Sequence, residues 1–368
     1  MLLEYLCYLL CAGVVINMFY YLCFYRIASV KPSSPTGHVN AVSIIVCAKN
    51  EATNLKRLLP ALLGQDHQNF EVIVINDCSS DGTLDIIDGF TAIDPRVKMV
   101  NVIPNENFWG NKKYALTLGI KKAQHSHLLF IDADCEPGSS SWASIMSGEF
   151  TWDRSIVLGY SGYQKTPGLL NALIRFETGM TAMQYLNYAL LGNPYMGVGR
   201  NLAYTTSEFY AVRGFQDHLH IMGGDDDLFI NKVAKKSNTR ININPKAFTY
   251  SQAKQSWNSW WIQKRRHINT AHHYKSKDKF LLGLFHASQI TILSALLLLP
   301  WLSNPLLWLM TAIIILRYVI SWTSVGLSLS RFRESGLIPL YPLLEIILIL
   351  TQLGLLVSNI LSKPKRWK

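Results

Sequence analysis

The segment Leu128-Leu-Phe-Ile-Asp-Ala-Asp-Cys-Glu-Pro137 decides the fold, because a short apolar run ends there in two carboxylates. Four apolar residues bounded by polar ones are typical of a strand that is buried on both faces of a parallel sheet. Side chains alternate along an extended chain, so Asp132 and Asp134 should point to the same side. Open α/β sheets bind ligands at the carboxyl ends of such strands, and paired carboxylates suit Mg²⁺ or Mn²⁺. The alternative is a polar turn in which Asp134 caps the next helix.

Short apolar runs alternate with helix-like stretches on both sides of this segment. The predicted strands cover residues 42–47, 71–76, 97–103 and 128–131, and the predicted helices cover residues 52–64, 83–90 and 111–124. This alternation predicts an α/β domain with a parallel, doubly wound sheet. The region from about residue 155 to 250 is less regular and contains a strand at 156–160 and a long amphipathic stretch at 169–191. A further helix is predicted at 256–273.

The composition of the chain indicates membrane segments. Of the 368 residues, 49% are hydrophobic and only 16% are charged, and the apolar segments 2–24, 280–302, 305–329 and 338–361 are each long enough to span a bilayer. The formal net charge of +11 comes from Lys and Arg that gather beside these segments, as the positive-inside rule expects. No nucleic-acid-binding motif is visible, so no nucleic-acid partner is expected. The six cysteines lack disulfide-like spacing and predict reduced thiols.

The charges predict a multi-pass protein of the plasma membrane with one large cytosolic domain. Residues 1–27 form an anchor with an outside N-terminus, residues 28–279 the cytosolic domain, and residues 280–368 about three further spans. If the anchor and all three C-terminal segments cross the membrane, the basic tail at 363–368 lies outside and violates the positive-inside rule. Either the rule is broken here or one C-terminal segment does not cross. Glu345 and Gln352 make the last segment the least convincing span.

Acidic or amide side chains follow the first two predicted strands as well. Asn50 and Glu51 follow the first strand, and Asp77 follows the second. A carboxylate at this edge of the sheet can accept hydrogen bonds from a nucleotide base or ribose. Lys112, at the start of the helix before the central strand, could meet a diphosphate as a point charge. Each of these side chains could also be a helix cap or a solvated charge.

The segment Gly223-Gly-Asp-Asp-Asp-Leu228 places three carboxylates side by side before a helix-like run. Crowded like charges raise at least one pKa, which suits a general base for an acceptor hydroxyl. The alternative is an acidic helix N-terminus that is favourable to the helix dipole.

Aromatic and basic residues share the predicted helix at 256–273. Trp260 and Trp261 fall on one side, and Gln263, Arg266 and His267 share another. Tryptophans at this spacing are typical of a core or of a membrane interface as well as of a sugar platform.

These motifs, taken in order, resemble family 2 glycosyltransferases of the GT-A fold. The match is closest to membrane-bound bacterial members, which are related to chitin, cellulose and hyaluronan synthases. The resemblance rests on six ordered segments: 42–51, 75–83, 112–116, 132–134, 224–228 and 263–267. It implies a Rossmann-like domain for nucleotide-diphospho-sugar transfer, a donor that is usually UDP-linked, and inversion at the anomeric carbon.

The resemblance also implies site residues and a divalent cation, Mg²⁺ or Mn²⁺. Nucleotide-sugar contacts are implied at Glu51, Asp77, Lys112 and Asp132. Metal ligands are implied at Asp132 and Asp134. The acceptor and base motif corresponds to Asp225 and Asp226, and the Q-x-x-R-W motif to Gln263, Arg266 and His267.

Two departures from the family pattern affect the functional prediction. His267 replaces the Trp that supports a growing sugar chain in the synthases, which argues against processive polymerisation. The acidic motif has no spacer, so the base is either Asp225 or Asp226, and Asp226 is favoured. We therefore expect an inverting, metal-dependent enzyme with a lipid-linked or glycan acceptor. A processive polysaccharide synthase and a non-catalytic nucleotide-sugar-binding membrane partner are the alternatives.

The stretch at 169–191 bears on the origin of the acceptor. Its mixed composition is compatible with a helix in the membrane interface, which would hold the acceptor side of the cleft against the cytosolic leaflet. It is equally compatible with a core helix of the domain.

Overall fold

The computed structural model describes residues 2–32, 39–103, 112–221, 223–303 and 305–361. The strands are β1 (Val42–Ala48), β2 (Phe70–Asn76), β3 (Val97–Asn101), β4 (His127–Phe130), β5 (Cys135–Pro137), β6 (Ile156–Gly159), β7 (Ser161–Tyr163), β8 (Leu202–Thr205), β9 (Thr239–Asn242) and β10 (Thr249–Ser251). The basic tail and residue 111, the first residue of a predicted helix, lie outside the described residues.

Thirteen α-helices and four 3₁₀ turns occur in the described residues. The helices are α1 (Leu2–Phe24), α2 (Arg26–Ser29), α3 (Ala52–Leu63), α4 (Thr83–Ile93), α5 (Lys112–Lys122), α6 (Trp142–Ser147), α7 (Leu169–Leu190), α8 (Thr206–Ala211), α9 (Asp227–Val233), α10 (Trp257–Ala271), α11 (Ser276–Leu298), α12 (Leu306–Arg331) and α13 (Tyr341–Leu361). The 3₁₀ turns are Gln216–His218, Pro245–Ala247, Leu299–Trp301 and Ser335–Leu340.

A seven-stranded sheet forms the centre of the fold, in the order β3-β2-β1-β4-β8-β6-β9. The predicted strands of the first half are all present, and β3, β2, β1 and β4 are parallel. The expectation of a wholly parallel sheet is wrong for β8, which pairs antiparallel with both β4 and β6. Chain order reverses between β1 and β4, so a crevice opens at their carboxyl ends.

The central strands are buried on both faces. Along β1, Ile44 and Val46 pack into a cluster that includes α3 and α6, whereas Ile45 packs into the cluster on the opposite face. Continuous apolar runs are typical of strands that are covered on both sides. A second sheet of three short strands, in the order β5-β10-β7, lies beyond the end of β4.

Helix α7 is a buried helix rather than a helix on the membrane surface. Fifteen of its residues are buried, and Gly179 packs against Leu329 of α12 closely enough that an added Cβ would lie 2.7 Å from it. Of the two interpretations of residues 169–191, the structure therefore favours the core helix.

Among the described residues, four helical segments are long and apolar enough to cross a membrane. They are Leu3–Ser29, Ser276–Trp301, Leu306–Arg331 and Ser335–Leu361. Phe24 at the end of α1 packs against Tyr188 and Phe285, so the hydrophobic core of the sheet continues into the helix bundle. The domain limits 1–27, 28–279 and 280–368 remain predictions.

Candidate active site

A pocket lies at the carboxyl ends of β1 and β4, where the strand order reverses. Its walls include Cys47 from β1 and Asp132 after β4. Gly199, Asp225 and Asp226 close the pocket from two loops that are distant in sequence. The predicted acidic loop and the predicted strand-end carboxylate therefore meet in one cleft.

Lys112 forms ion pairs with both the strand-end carboxylate and the acidic loop. Its Nζ lies 3.0 Å from Oδ1 of Asp132 and 2.9 Å from Oδ2 of Asp225. Although burial alone would raise the pKa of Asp225, the ammonium of Lys112 lowers it below the ordinary value. Lys112 thus neutralises part of a strongly acidic pocket, which reduces the repulsion between its carboxylates.

Asp226 is prepared to accept a proton. Its Oδ2 accepts a hydrogen bond of 2.7 Å from the backbone N–H of Gly199, and its Oδ1 accepts one of 2.8 Å from the N–H of Asp227. Burial, followed by the charges of Asp225 and Asp227, raises the pKa of Asp226 to about 7. A carboxylate with this pKa is matched to general base catalysis near neutral pH.

Asp227, the third acidic residue, is directed away from the pocket. It is buried and accepts hydrogen bonds from Thr270 Oγ1 at 2.5 Å and from the Tyr274 hydroxyl at 2.8 Å. It therefore links the start of α9 to the end of α10.

Of the predicted metal pair, Asp132 lines the pocket and Asp134 follows it two residues later. Asp132 is half-buried and Asp134 is exposed. Burial raises the pKa of Glu51, and the charges of Asp134 and Asp132 raise it further, because the three carboxylates surround the same space. No group of three or more His, Cys, Asp or Glu side chains suited to a metal occurs among the residues that the structure describes. Two hard carboxylates fit a cation that completes its coordination with phosphate and water.

Asp77 lies at the end of β2 and is buried. Lys49 Nζ lies 4.0 Å from its Oδ2, and burial raises its pKa despite this cation. The neighbouring loop is fixed by Asn50, whose Oδ1 accepts a hydrogen bond of 2.8 Å from the N–H of Ser80. The loops after β1 and β2 are thus joined beside the nucleotide-binding residues that the sequence predicted.

Helix α10 carries Gln263, Arg266 and His267, and the charge of Asp225 in the cleft acts on His267. Gln263 and Arg266 are half-buried, and His267 remains accessible to solvent. Removal from bulk water within the cleft, and then the charges of Lys264 and Arg200, lower the pKa of His267. This shift favours the neutral imidazole. Trp260 is buried, which confirms the interpretation of this tryptophan as a core residue.

Two basic residues near the site were not identified from the sequence. Arg200 lies over the ring of Tyr163 at 4.5 Å and donates a hydrogen bond of 2.9 Å to Ser251 Oγ. Its segment, Gly197-Val-Gly-Arg200, contains the glycines of a turn but no motif that indicates a ligand. Lys113 is buried, and its Nζ donates hydrogen bonds to the carbonyls of His218 and Ile221 at 2.5 and 2.8 Å. Nothing in the sequence distinguishes it from the adjacent Lys112.

The sheet and the position of the cleft are those of the GT-A fold. Residues 43–200 match the model of glycosyl transferase family 2. This region, which is less than half of the chain, is thus similar to that family, and the predicted resemblance is confirmed.

Two curated proteins with similar sequences are also named as glycosyltransferases. TuaG of Bacillus subtilis, named as a teichuronic acid biosynthesis glycosyltransferase, is 28% identical over 122 residues, which are 33% of this chain and 46% of TuaG. YdaM of the same organism, named as a glycosyltransferase, is 24% identical over 239 residues, which are 61% of this chain and 54% of YdaM. The chain spans about half the length of the curated relatives that it matches.

A solved structure has a similar fold over nearly the whole chain. The mannosyltransferase PcManGT from Pyrobaculum calidifontis, in complex with GDP-Man and Mn²⁺, superposes with a TM-score of 0.60 at 16% identity. The superposition covers 90% of this chain and 98% of PcManGT. The likeness is therefore one of fold, and it extends beyond the sheet domain into the apolar helices.

Proposed function

We propose that this glycosyltransferase transfers a sugar, with inversion, from a nucleoside-diphosphate donor to an acceptor delivered by the membrane. The observation that supports this most directly is the double ion pair of Lys112 with Asp132 and Asp225. It brings the predicted diphosphate side of the cleft next to the predicted base. A reaction centre needs both within reach of one anomeric carbon.

Glu51 and Asp77 are the proposed contacts to the nucleotide, because they follow adjacent strands at the same edge of the sheet. The family resemblance favours a UDP-linked donor, whereas PcManGT was solved with GDP-Man. Both nucleotides therefore belong in any donor screen.

Asp132 and Asp134 are the proposed holders of Mg²⁺ or Mn²⁺. Their hard oxygens suit such a cation, and Asp134 is exposed to solvent. When bound, the cation would neutralise charge on the leaving nucleoside diphosphate. Lys112 would supply a further positive charge on the same side of the reacting centre.

Asp226 is the proposed general base. Its two backbone hydrogen bonds fix the carboxylate, and it would take the proton of the acceptor hydroxyl as the acceptor oxygen bonds to the anomeric carbon. The bond from that carbon to the diphosphate breaks on the opposite face, and its electron pair leaves with the diphosphate. One displacement of this kind inverts the configuration.

Gln263, Arg266 and His267 are the proposed contacts to the acceptor or the diphosphate. A neutral His267 can donate or accept a hydrogen bond but offers a smaller stacking surface than tryptophan. This supports transfer of a single sugar over processive synthesis. Helix α10 leads directly into α11, so an acceptor that reaches it would come from the membrane surface.

The experiment is a donor screen on the purified full chain in detergent. UDP- and GDP-linked sugars are supplied with Mn²⁺ and a bacterial lipid extract, and the products are read by mass spectrometry. We expect an increment of one sugar mass on an extractable lipid or lipid-linked glycan with one donor class. Ladders of long polymer would contradict single transfer. Donor binding with no product from any acceptor fraction would contradict the enzymatic proposal in favour of a binding partner.

A further inference from the structure

The path of the last apolar helix differs from that of a simple membrane span. We infer that the segment 332–361, which ends in α13, enters the membrane and returns, so that both ends of this segment lie on the side of the catalytic domain. Its C-terminal end then positions α10, the helix of Gln263, Arg266 and His267.

The chain first reaches the catalytic side at the end of α12. Arg331 donates a hydrogen bond to the carbonyl of Ala28, next to the sheet domain. Phe332 stacks on Tyr160 with ring centroids 4.4 Å apart. Two residues later in the chain, Glu334 forms a buried ion pair with Arg175 of α7. Residues 331–334 are therefore fixed to the catalytic domain.

From there the chain runs back along α12. The indole N–H of Trp322 donates a hydrogen bond of 3.0 Å to the carbonyl of Ile338. Further on, Arg317 Nη1 donates one of 2.7 Å to Glu345 Oε2. Arg317 lies 14 positions before Arg331, which corresponds to about 21 Å of helix. Glu345, near the start of α13, is thus deep in the helix bundle.

Inside the helix bundle, the carboxylate of Glu345 belongs to a fully paired polar cluster. Besides Arg317, its carboxylate accepts hydrogen bonds from the hydroxyls of Tyr21 at 3.1 Å and Tyr341 at 2.7 Å. Arg317 also donates to Asn17 Oδ1 at 2.9 Å. Charges within a bilayer are tolerated when they pair inside the protein in this way. The cluster therefore fixes where α13 begins.

The far end of α13 returns to the catalytic domain. Arg265 of α10 donates a hydrogen bond of 2.8 Å to Asn359 Oδ1, and Asn359 Nδ2 donates one of 3.2 Å to the carbonyl of Arg265. Gly354 packs so closely on Trp261 of α10 that an added Cβ would lie 2.9 Å from the ring. From Glu345 to Asn359 there are again 14 positions, or about 21 Å. A helix that crossed the bilayer would place Asn359 on the opposite side from α10.

This path agrees with the basic residues that follow α13 in the sequence. Lys363, Lys365, Arg366 and Lys368 follow α13 and lie outside the described residues. A chain that leaves α13 beside α10 continues on the catalytic side, where the positive-inside rule expects these charges. A crossing helix would put them on the other side.

Cysteine labelling in membrane vesicles tests the path without any assay of activity. Lys368→Cys, in the full chain, is treated with a membrane-impermeant maleimide in right-side-out and inverted vesicles. Trp152→Cys marks the catalytic side, since Trp152 is 98% exposed. Ser303→Cys, in the exposed connection between α11 and α12, marks the opposite side. The parent chain measures labelling of the native cysteines.

We expect Lys368→Cys to be labelled in the same vesicles as Trp152→Cys. Labelling together with Ser303→Cys would overturn the inference. The labelling reports only the side of the membrane on which each cysteine lies. The result therefore does not depend on the proposed sugar transfer.

The positioning role rests on the proposed function and has its own test. Asn359→Ala removes both hydrogen bonds to Arg265 and should raise the KM for the acceptor about tenfold. The KM for the donor should rise less, because Glu51, Asp77 and Asp132, which are proposed to bind the donor, lie outside α10. Asn359→Asp keeps an acceptor oxygen for Arg265 and should restore most of the acceptor affinity. Equal changes in both KM values, or no change in either, would contradict the positioning role.

Discussion

Three adjacent aspartates at 225–227 differ in role because each has different neighbours. Asp225 pairs with Lys112, Asp226 is held by two backbone N–H groups, and Asp227 bonds to two hydroxyls of the α10–α11 region. The sequence predicted the acidic cluster and favoured Asp226 as the base. It could not predict how the roles divide, because that depends on loops and helices distant in the chain.

The raised pKa of Asp226 predicts a pH dependence at the residue scale. A base must be ionised, and burial followed by the charges of Asp225 and Asp227 raises this pKa to about 7. We therefore expect kcat/KM to rise as the pH approaches about 7 from below and to level off above it. Initial rates at subsaturating substrate from about pH 5 to 9 measure this. A flat profile across that interval would exclude an ionising base with this pKa.

Removal of a metal ligand is a second prediction at this scale. Asp134→Ala should lower activity by at least about a hundredfold, because a bound cation supplies several kcal/mol of charge stabilisation. Excess chelator should have the same effect on the parent chain, and added Mn²⁺ should reverse it. Asp88→Ala, on the exposed surface of α4, serves as the control. Full activity in chelator would refute the metal role of this pair.

At the scale of elements, the contact of α9 with α10 is expected to stabilise the fold. Asp227→Ala leaves the buried hydroxyl of Tyr274 without its acceptor and removes one of the two acceptors of the Thr270 hydroxyl, and it should cost about 1–3 kcal/mol. The midpoint of thermal unfolding in detergent should fall accordingly, while Asp88→Ala leaves it unchanged. An unaltered midpoint in Asp227→Ala would show that this contact does not contribute to stability.

Elements of the first half were predictable because their signals are local. Each of β1, β2 and β4 is an apolar run bounded by polar residues, and each helix between them has its own periodicity. The reversed strand β8 was not predicted, since strand direction depends on tertiary pairing. The three-residue strands β5, β7 and β10 are too short to produce a pattern. Helix α7 remained ambiguous, because polar residues on a buried helix resemble those of an interfacial one.

At the scale of the whole molecule, the catalytic domain and the apolar helices share one core. Tyr20 and Phe24 of α1 belong to the same buried cluster as Phe130 of the central sheet. At the start of α11, Asp278 accepts hydrogen bonds of 2.8 Å from Asn193 and Asn231. The cleft is therefore held in a fixed relation to the bundle.

This continuity predicts that the catalytic domain is not soluble alone. A truncation to residues 30–275 removes α1 and α11–α13, which cover the apolar face of α7, and should aggregate in detergent-free buffer. Size-exclusion chromatography compares it with the full chain in detergent. A monodisperse truncated domain in buffer would contradict the shared core.

The most direct measurement of the central claim compares Asp226→Asn with the parent chain. Nucleotide release from the preferred donor is followed in the presence of acceptor lipid, and donor affinity is measured by calorimetry. The account predicts a fall in kcat of about 10²–10⁴-fold with donor affinity retained, because only the proton acceptor is lost. Asp88→Asn should match the parent chain in both measurements. Normal turnover by Asp226→Asn would contradict the assignment of the base and, with it, the proposed mechanism.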